Sequence, residues 1–257
     1  MPRRHRFYRH LFVVTVFLFA ILALPTPIFR IHLVGTALLQ LLLLSELGEV
    51  IPSRGSPNAT ITRHDRRAAL AYRLLGLVGI GVLIIWMFTP FSTQYTGLPV
   101  FAVITPFVFW SLKRLLGLLS REQSVSGEVI VGAVAGYLLL GISGGLLLTV
   151  LETLNPGSFQ NLVHEGRHIN ERLFVNHDLS RLIWDQDFSR INYFAFVCLT
   201  TTGFGDIVPV RPSAEMAAVS ISIAGSLYLA LVMGLLISRL TVQTQLEEER
   251  HPLDRES

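Results

Sequence analysis

Residues 200–206 read Thr-Thr-Thr-Gly-Phe-Gly-Asp. Gly203 and Gly205 bracket Phe204, threonines precede them and Asp206 follows. Glycine reaches backbone angles that other residues avoid, so such a segment can turn successive carbonyl oxygens toward one axis. Carbonyls aimed that way replace the water shell of a cation. The chemistry is coordination by backbone, not catalysis by side chains.

Such a segment needs elements on both sides to hold it. The amphipathic stretch 191–200 precedes it and an apolar run at 213–239 follows. Five further apolar runs lie near 8–25, 28–47, 68–89, 98–119 and 127–152. Each of the six is long enough, or nearly so, to cross about 30 Å of hydrocarbon. The chain is 51% hydrophobic and only 15% charged, a balance that excludes an ordinary soluble domain. The net charge is +3, but the basic residues fall between apolar runs. They therefore read as membrane-orientation signals rather than a nucleic-acid surface. The single cysteine, Cys198, excludes an intrachain disulfide, and no spacing suggests a zinc site.

The basic N-terminus, the loop 48–67, the loop 113–126 and the C-terminus carry the basic excess and are expected on the cytoplasmic side. An even number of spans agrees, and leaves 153–190 outside. Arg3, Arg4, Arg6 and Arg9 before an apolar run imitate a signal peptide. The cleavage pattern is poor, so an uncleaved first helix is expected. In 153–190, Phe159, Leu162, Val163, Ile169, Leu173 and Phe174 recur at roughly helical spacing, which predicts a small cap helix. Asp187 or Ser189 is expected to cap the next helix, ending near Leu199.

Residues 192–209, Asn-Tyr-Phe-Ala-Phe-Val-Cys-Leu-Thr-Thr-Thr-Gly-Phe-Gly-Asp-Ile-Val-Pro, resemble the pore helix and selectivity filter of the potassium channel family. Where that family reads Thr-Val-Gly-Tyr-Gly, this chain has Thr201-Thr202-Gly203-Phe204-Gly205. The resemblance implies an all-α membrane protein of six transmembrane helices, with a re-entrant pore helix and filter between the fifth and sixth. It implies K+ sites formed by the carbonyls of Thr201, Thr202, Gly203 and Phe204, with the Thr201 hydroxyl at the inner end. Asp206 would stand behind the outer mouth, bonded to Tyr193, which takes the place of a tryptophan. Gly225 matches a hinge glycine of the inner helix, with Gly234 a second pliant point and close packing the alternative role. Four copies complete the carbonyl rings, so a homotetramer is implied.

Three departures bear on function. Thr202 replaces the usual valine or isoleucine, and its hydroxyl is expected to bond behind the filter. Val197 stands where some bacterial members carry glutamate. The fourth apolar run lacks a ladder of arginines; Lys113 and Arg114 at its end read as interface anchors, so little gating charge is expected. Gly132/Gly136 and Gly141/Gly145 are expected to pack the fifth run on the last.

The expected organisation is a four-helix domain at 1–123, a pore module at 124–241 and a short tail at 242–257. The implied function is passive K+ conduction across a prokaryotic plasma membrane, with no enzyme chemistry. No organic cofactor or substrate and no nucleic-acid partner are expected; the partners are membrane lipid and further copies of the chain. A weakly selective cation channel, motivated by Thr202, is the alternative within that class. A secondary transporter is the alternative outside it, but no matched pair of broken helices is found. His164, His168 and His177 in the outer segment read as surface residues before pH sensors. Arg30, Arg73, Glu46 and Glu49 read as helix-end anchors.

Overall fold

The computed structural model describes residues 3–23, 31–47, 63–88, 98–120, 122, 125–161 and 180–253. Its helices are α1 (Arg3–Ala23), α2 (Ile31–Leu47), α3 (Arg63–Phe88), α4 (Leu98–Leu119), α5 (Gly127–Leu154), α6 (Ser180–Leu199) and α7 (Pro212–Leu253). Strand β1 (Phe159–Asn161) pairs antiparallel with β2 (Ile207–Pro209). Among the described residues four stretches are long and apolar enough to cross a membrane: Asp65–Ile85, Ala102–Leu119, Gly127–Leu154 and Pro212–Gln245. The fold is that of a mostly helical, multi-pass membrane protein. The two-stranded sheet was not expected from the sequence.

The helices start and stop for local reasons. Ser126 is extended before α5, and Glu128 puts a carboxylate on the positive first turn. Pro212 opens α7, where its missing N–H costs no hydrogen bond. The acidic Glu215 follows in the first turn. α4 runs through Pro106.

α5 lies at the centre, against α1, α4, α6 and α7. Its glycines explain how. A Cβ on Gly132 would fall 2.7 Å from the Tyr8 ring of α1. One on Gly136 would strike the Tyr228 hydroxyl of α7. Those on Gly141 and Gly145 would strike Phe196 and Asn192 of α6. The expectation that these four glycines serve packing on the last helix is therefore corrected. Only Gly136 does so, because a helix surrounded on several sides needs small residues on several faces.

One core joins α1 to α5, with Phe107, Tyr72, Leu43, Leu115 and Leu139 among its fully buried residues. A second joins α5, α6, β1, β2 and α7 around Leu148, Phe159, Ile191, Leu199 and Ile207. In the first, Tyr72 donates to Leu43 O at 3.1 Å and lies 2.8 Å from Ser111 Oγ. The Arg114 guanidinium sits 4.6 Å from the centre of the Tyr72 ring. Arg114 therefore turns inward onto α3 instead of serving only as an interface anchor, since an aromatic face offsets the desolvation of a guanidinium. Lys113 is exposed, as is Arg73.

Two further expectations change. Phe159 belongs to a strand, not to a cap helix; the rest of that prediction, 162–179, lies outside the described residues, as do His164, His168 and His177. α6 begins at Ser180, so Asp187 and Ser189 fall inside it. Both residue types favour caps, but no glycine or proline upstream stops the helix. Arg30, Glu49 and the side chain of Glu46 also lie outside the described residues.

Candidate functional site

The C-terminal end of α6 delivers the chain into residues 200–206. Thr201 N–H donates to Cys198 O at 2.9 Å and Thr202 N–H to Val197 O at 3.0 Å. That pair of bonds closes a Schellman motif, whose left-handed position is usually glycine. Here it is Thr201, with φ 56°. A β-branched residue at positive φ is an outlier that the surrounding structure must impose.

Positive φ then recurs at every second residue: Thr201 (56°), Gly203 (61°) and Gly205 (75°). In an ordinary strand the alternating geometry sends successive groups to opposite sides. Reversing the sign of φ at alternate residues rotates alternate peptide planes, so that neighbouring carbonyls can share one side. Residues 200–205 are exposed in the single chain, Phe204 to 68%. No described group lies within 4 Å of where a Cβ would stand on Gly203 or Gly205.

Several elements fix the foot of this segment. Ser222 of α7 donates to Cys198 O at 2.9 Å, and Tyr137 of α5 to Leu199 O at 3.3 Å. Gly225 lets α7 approach so closely that a Cβ there would strike Leu199 O. Thr200 Oγ1 donates to Phe196 O at 2.8 Å and lies 2.8 Å from Thr202 Oγ1. The Thr202 hydroxyl thus reaches its neighbour Thr200. Cys198 is half-buried and packs in the second core.

The upper end is held differently. The Tyr193 ring lies parallel to Phe204, with centroids 6.4 Å apart and 3° between planes. Burial first, and the nearby Asp206 carboxylate second, push the Tyr193 phenol above its ordinary pKa. Asp206 Oδ1 is buried with no hydrogen-bond partner among the described residues. Directly afterward the chain enters β2, where Ile207 is buried.

The structure brings Thr201, Thr202, Gly203, Phe204 and Gly205 into one exposed turn-rich segment, with Tyr193 and Asp206 beside its upper half. It places Gly225 against its foot. Gly234 stands apart, exposed, with no described group within 4 Å of a Cβ there. α7 continues unbroken through both glycines.

Sequence reasoning missed Ser222, Tyr137, Thr200 and Glu152. Ser222 and Tyr137 are ordinary polar residues in helices, and nothing in their spacing points to carbonyls two elements away; Thr200, just past α6, bonds back to Phe196 O. Glu152 left a signal: a carboxylate at the end of an apolar run, just before Asn-Pro-Gly-Ser. Among the described residues no group of three or more His, Cys, Asp or Glu could hold a metal through side chains.

A family model described as ion channel matches residues 173–242. The match spans α6, the segment 200–211 and most of α7. No curated protein matches the chain.

Proposed function

We propose that this chain is one subunit of a potassium-selective channel that conducts K+ passively. The reading is supported by the ion channel match over residues 173–242. One observation carries it further: positive φ at Thr201, Gly203 and Gly205, in an exposed segment rooted by α5 and α7. In this reading the carbonyls of Thr201, Thr202, Gly203 and Phe204 replace the hydration shell of K+. The Thr201 hydroxyl adds oxygen at the inner end, and Tyr193 and Asp206 brace the outer half.

One chain supplies one wall. Four copies around an axis close the carbonyl rings, which makes the working unit a homotetramer. α1 and α2 complete six spans; the 17 residues of α2 reach about 26 Å at 1.5 Å per residue. α6 is the re-entrant pore helix between the fifth and sixth spans. Both termini face the cytoplasm of a plasma membrane. Gating flexion is placed at the glycines of α7, Gly225 packed against Leu199 O and Gly234 clear of any described group.

The test is cation flux through purified protein in liposomes, with K+ and Na+ gradients compared and Ba2+ added. K+-selective flux blocked by Ba2+ is the expected result. Equal K+ and Na+ flux would replace this reading by a weakly selective cation channel. Absence of any flux across varied voltage and pH, with a monomer by mass measurement, would overturn both.

A further inference from the structure

Glu152 closes the last turn of α5 and is buried, 3% exposed. Its two carboxylate oxygens accept three backbone N–H groups. Gly157 donates to Oε1 at 2.9 Å; Ser158 and Phe159 donate to Oε2 at 2.9 and 3.2 Å. Charge-assisted bonds of this kind are roughly twice as strong as neutral ones. The carboxylate therefore fixes the turn between α5 and β1. That turn needs Gly157 at φ 80°, and Ser158 Oγ adds a bond to Asn155 O at 2.6 Å.

The same turn grips the chain that leaves the candidate filter. β1 pairs with β2 in the register Phe159↔Pro209, Gln160↔Val208 and Asn161↔Ile207. Val210 N–H donates to Ser158 O at 2.9 Å, so 158 and 210 stand at a hydrogen-bonded position of the ladder, with the Ser158 N–H given to Glu152 instead. By alternation Phe159 and Pro209 face each other at a non-hydrogen-bonded position, where a proline removes no ladder bond. Arg211 then donates to Pro156 O at 3.3 Å. Phe159 packs against Phe194 of α6, with ring centroids 5.6 Å apart. Residues 207–211 thus lie along a strip whose conformation Glu152 sets, immediately after Asp206.

We propose that Glu152 is a positioning residue for the outer end of the filter, acting through the β1–β2 clamp. It touches no ion. It fixes where the backbone after Gly205 and Asp206 must go, and so limits how far the upper carbonyl rings can widen. The functional half of this inference rests on the channel reading; the structural half does not.

The experiment uses the full-length chain with Glu152→Gln. A glutamine keeps one acceptor oxygen and turns an amide NH2 toward N–H groups at the other position, so at least one bond becomes a repulsion. Two readouts separate the halves. In hydrogen exchange, Glu152→Gln is expected to expose the amides of 157–159 and also those of 207–210, while the middle of α7 keeps its protection. In liposomes, the K+ over Na+ flux ratio is expected to fall about fivefold or more, within the usual range of coupling between sites. Val208→Pro provides a variant that leaves Glu152 intact. It removes the N–H of a hydrogen-bonded pair and is expected to lower the ratio and the 207–210 protection in the same direction. Loss of protection at 157–159 alone, or an unchanged flux ratio in both variants, would overturn the proposal. Wild-type protein without K+ selectivity would overturn the K+-selective reading instead, and the exchange data would still decide whether Glu152 holds 207–210. Should Glu152→Gln not fold, an unchanged flux ratio in Val208→Pro overturns the proposal by itself, because the clamp through which Glu152 acts would then not reach the filter.

Discussion

The hydroxyl of Ser222 on α7 donates to the carbonyl oxygen of Cys198, 2.9 Å away at the end of α6. That carbonyl also accepts the Thr201 N–H. α7 and the first left-handed residue of the candidate filter therefore share one acceptor. A shift of α7 reaches Thr201 through that one oxygen. Further along the same helix, Gly225 and Gly234 sit in opposite circumstances: a Cβ on Gly225 would strike Leu199 O, and one on Gly234 would meet no described group.

Gly225→Ala places a methyl against the backbone carbonyl of Leu199, which cannot swing aside as a flexible side chain would. The expected cost is about 1–3 kcal/mol of stability, together with loss of flux. Gly234→Ala meets no described group, and a helix gains about 0.8–1 kcal/mol from that change in its interior. Thermal melts of both purified variants check the contrast. Equal melting temperatures would show that α7 does not press on Leu199 as described.

Thr201 occupies the Schellman position at φ 56°. Thr201→Gly relieves roughly 1–2 kcal/mol of left-handed strain and adds roughly 0.5–1 kcal/mol of unfolded-chain entropy. The net expectation is a gain of about 0.5–1 kcal/mol. Under the channel reading the same change removes a hydroxyl from the inner ion site and cuts K+ flux. A more stable, less conductive variant is the expected pair of results, read by thermal melting and by liposome flux. A less stable variant would mean that the threonine side chain holds the turn by contacts stronger than its strain.

The Thr202 hydroxyl lies 2.8 Å from that of Thr200, which is itself bonded to Phe196 O. Thr202→Val removes one hydroxyl of this pair and leaves the Thr200 bond to the helix. The expected change is a higher K+ over Na+ flux ratio with stability altered by about 1 kcal/mol or less, the net worth of an ordinary hydrogen bond. An unchanged ratio would remove Thr202 from the determinants of selectivity.

Arg239 of α7 donates to Ser120 O at 2.7 Å, to Leu119 O at 3.4 Å and to Glu122 O. It caps the C-terminal carbonyls of α4, which want a positive charge. Gln243 joins it by accepting the Val125 N–H at 3.2 Å, and Tyr8 of α1 donates to Glu122 at 3.1 Å. Arg239→Ala is expected to cost about 1.5–3 kcal/mol, as for hydrogen bonds to a charged group. Lysine lacks the planar fork that reaches several carbonyls at once, so Arg239→Lys should recover only part of it. Denaturation of the two variants in the same detergent checks the order.

The six apolar runs were legible because length and hydropathy are properties of contiguous sequence, and each run carries a helix. The end of α6 at Leu199 was legible for a similar reason: Gly203 and Gly205 cannot continue a helix without cost. The start of α6 was not, because Asp187 and Ser189 suit both caps and exposed helical positions. The strand at Phe159 was misread as helical because a three-residue strand has no period of its own. It exists only because β2 lies beside it.

The sequence by itself determined that this chain is apolar, multi-pass and built around a glycine-bracketed segment before its last long helix. Those features follow from residue type and local spacing, which act within a few residues. Tertiary structure alone decided what fixes that segment in place. Ser222 and Tyr137 donate to backbone carbonyls of another element, Gly225 lets α7 approach Leu199, and Glu152 holds the turn before β1. Which distant backbone group each one meets is not written in its residue type. Only folding, which brings α5, α7 and β1 against the ends of residues 200–206, makes those contacts exist.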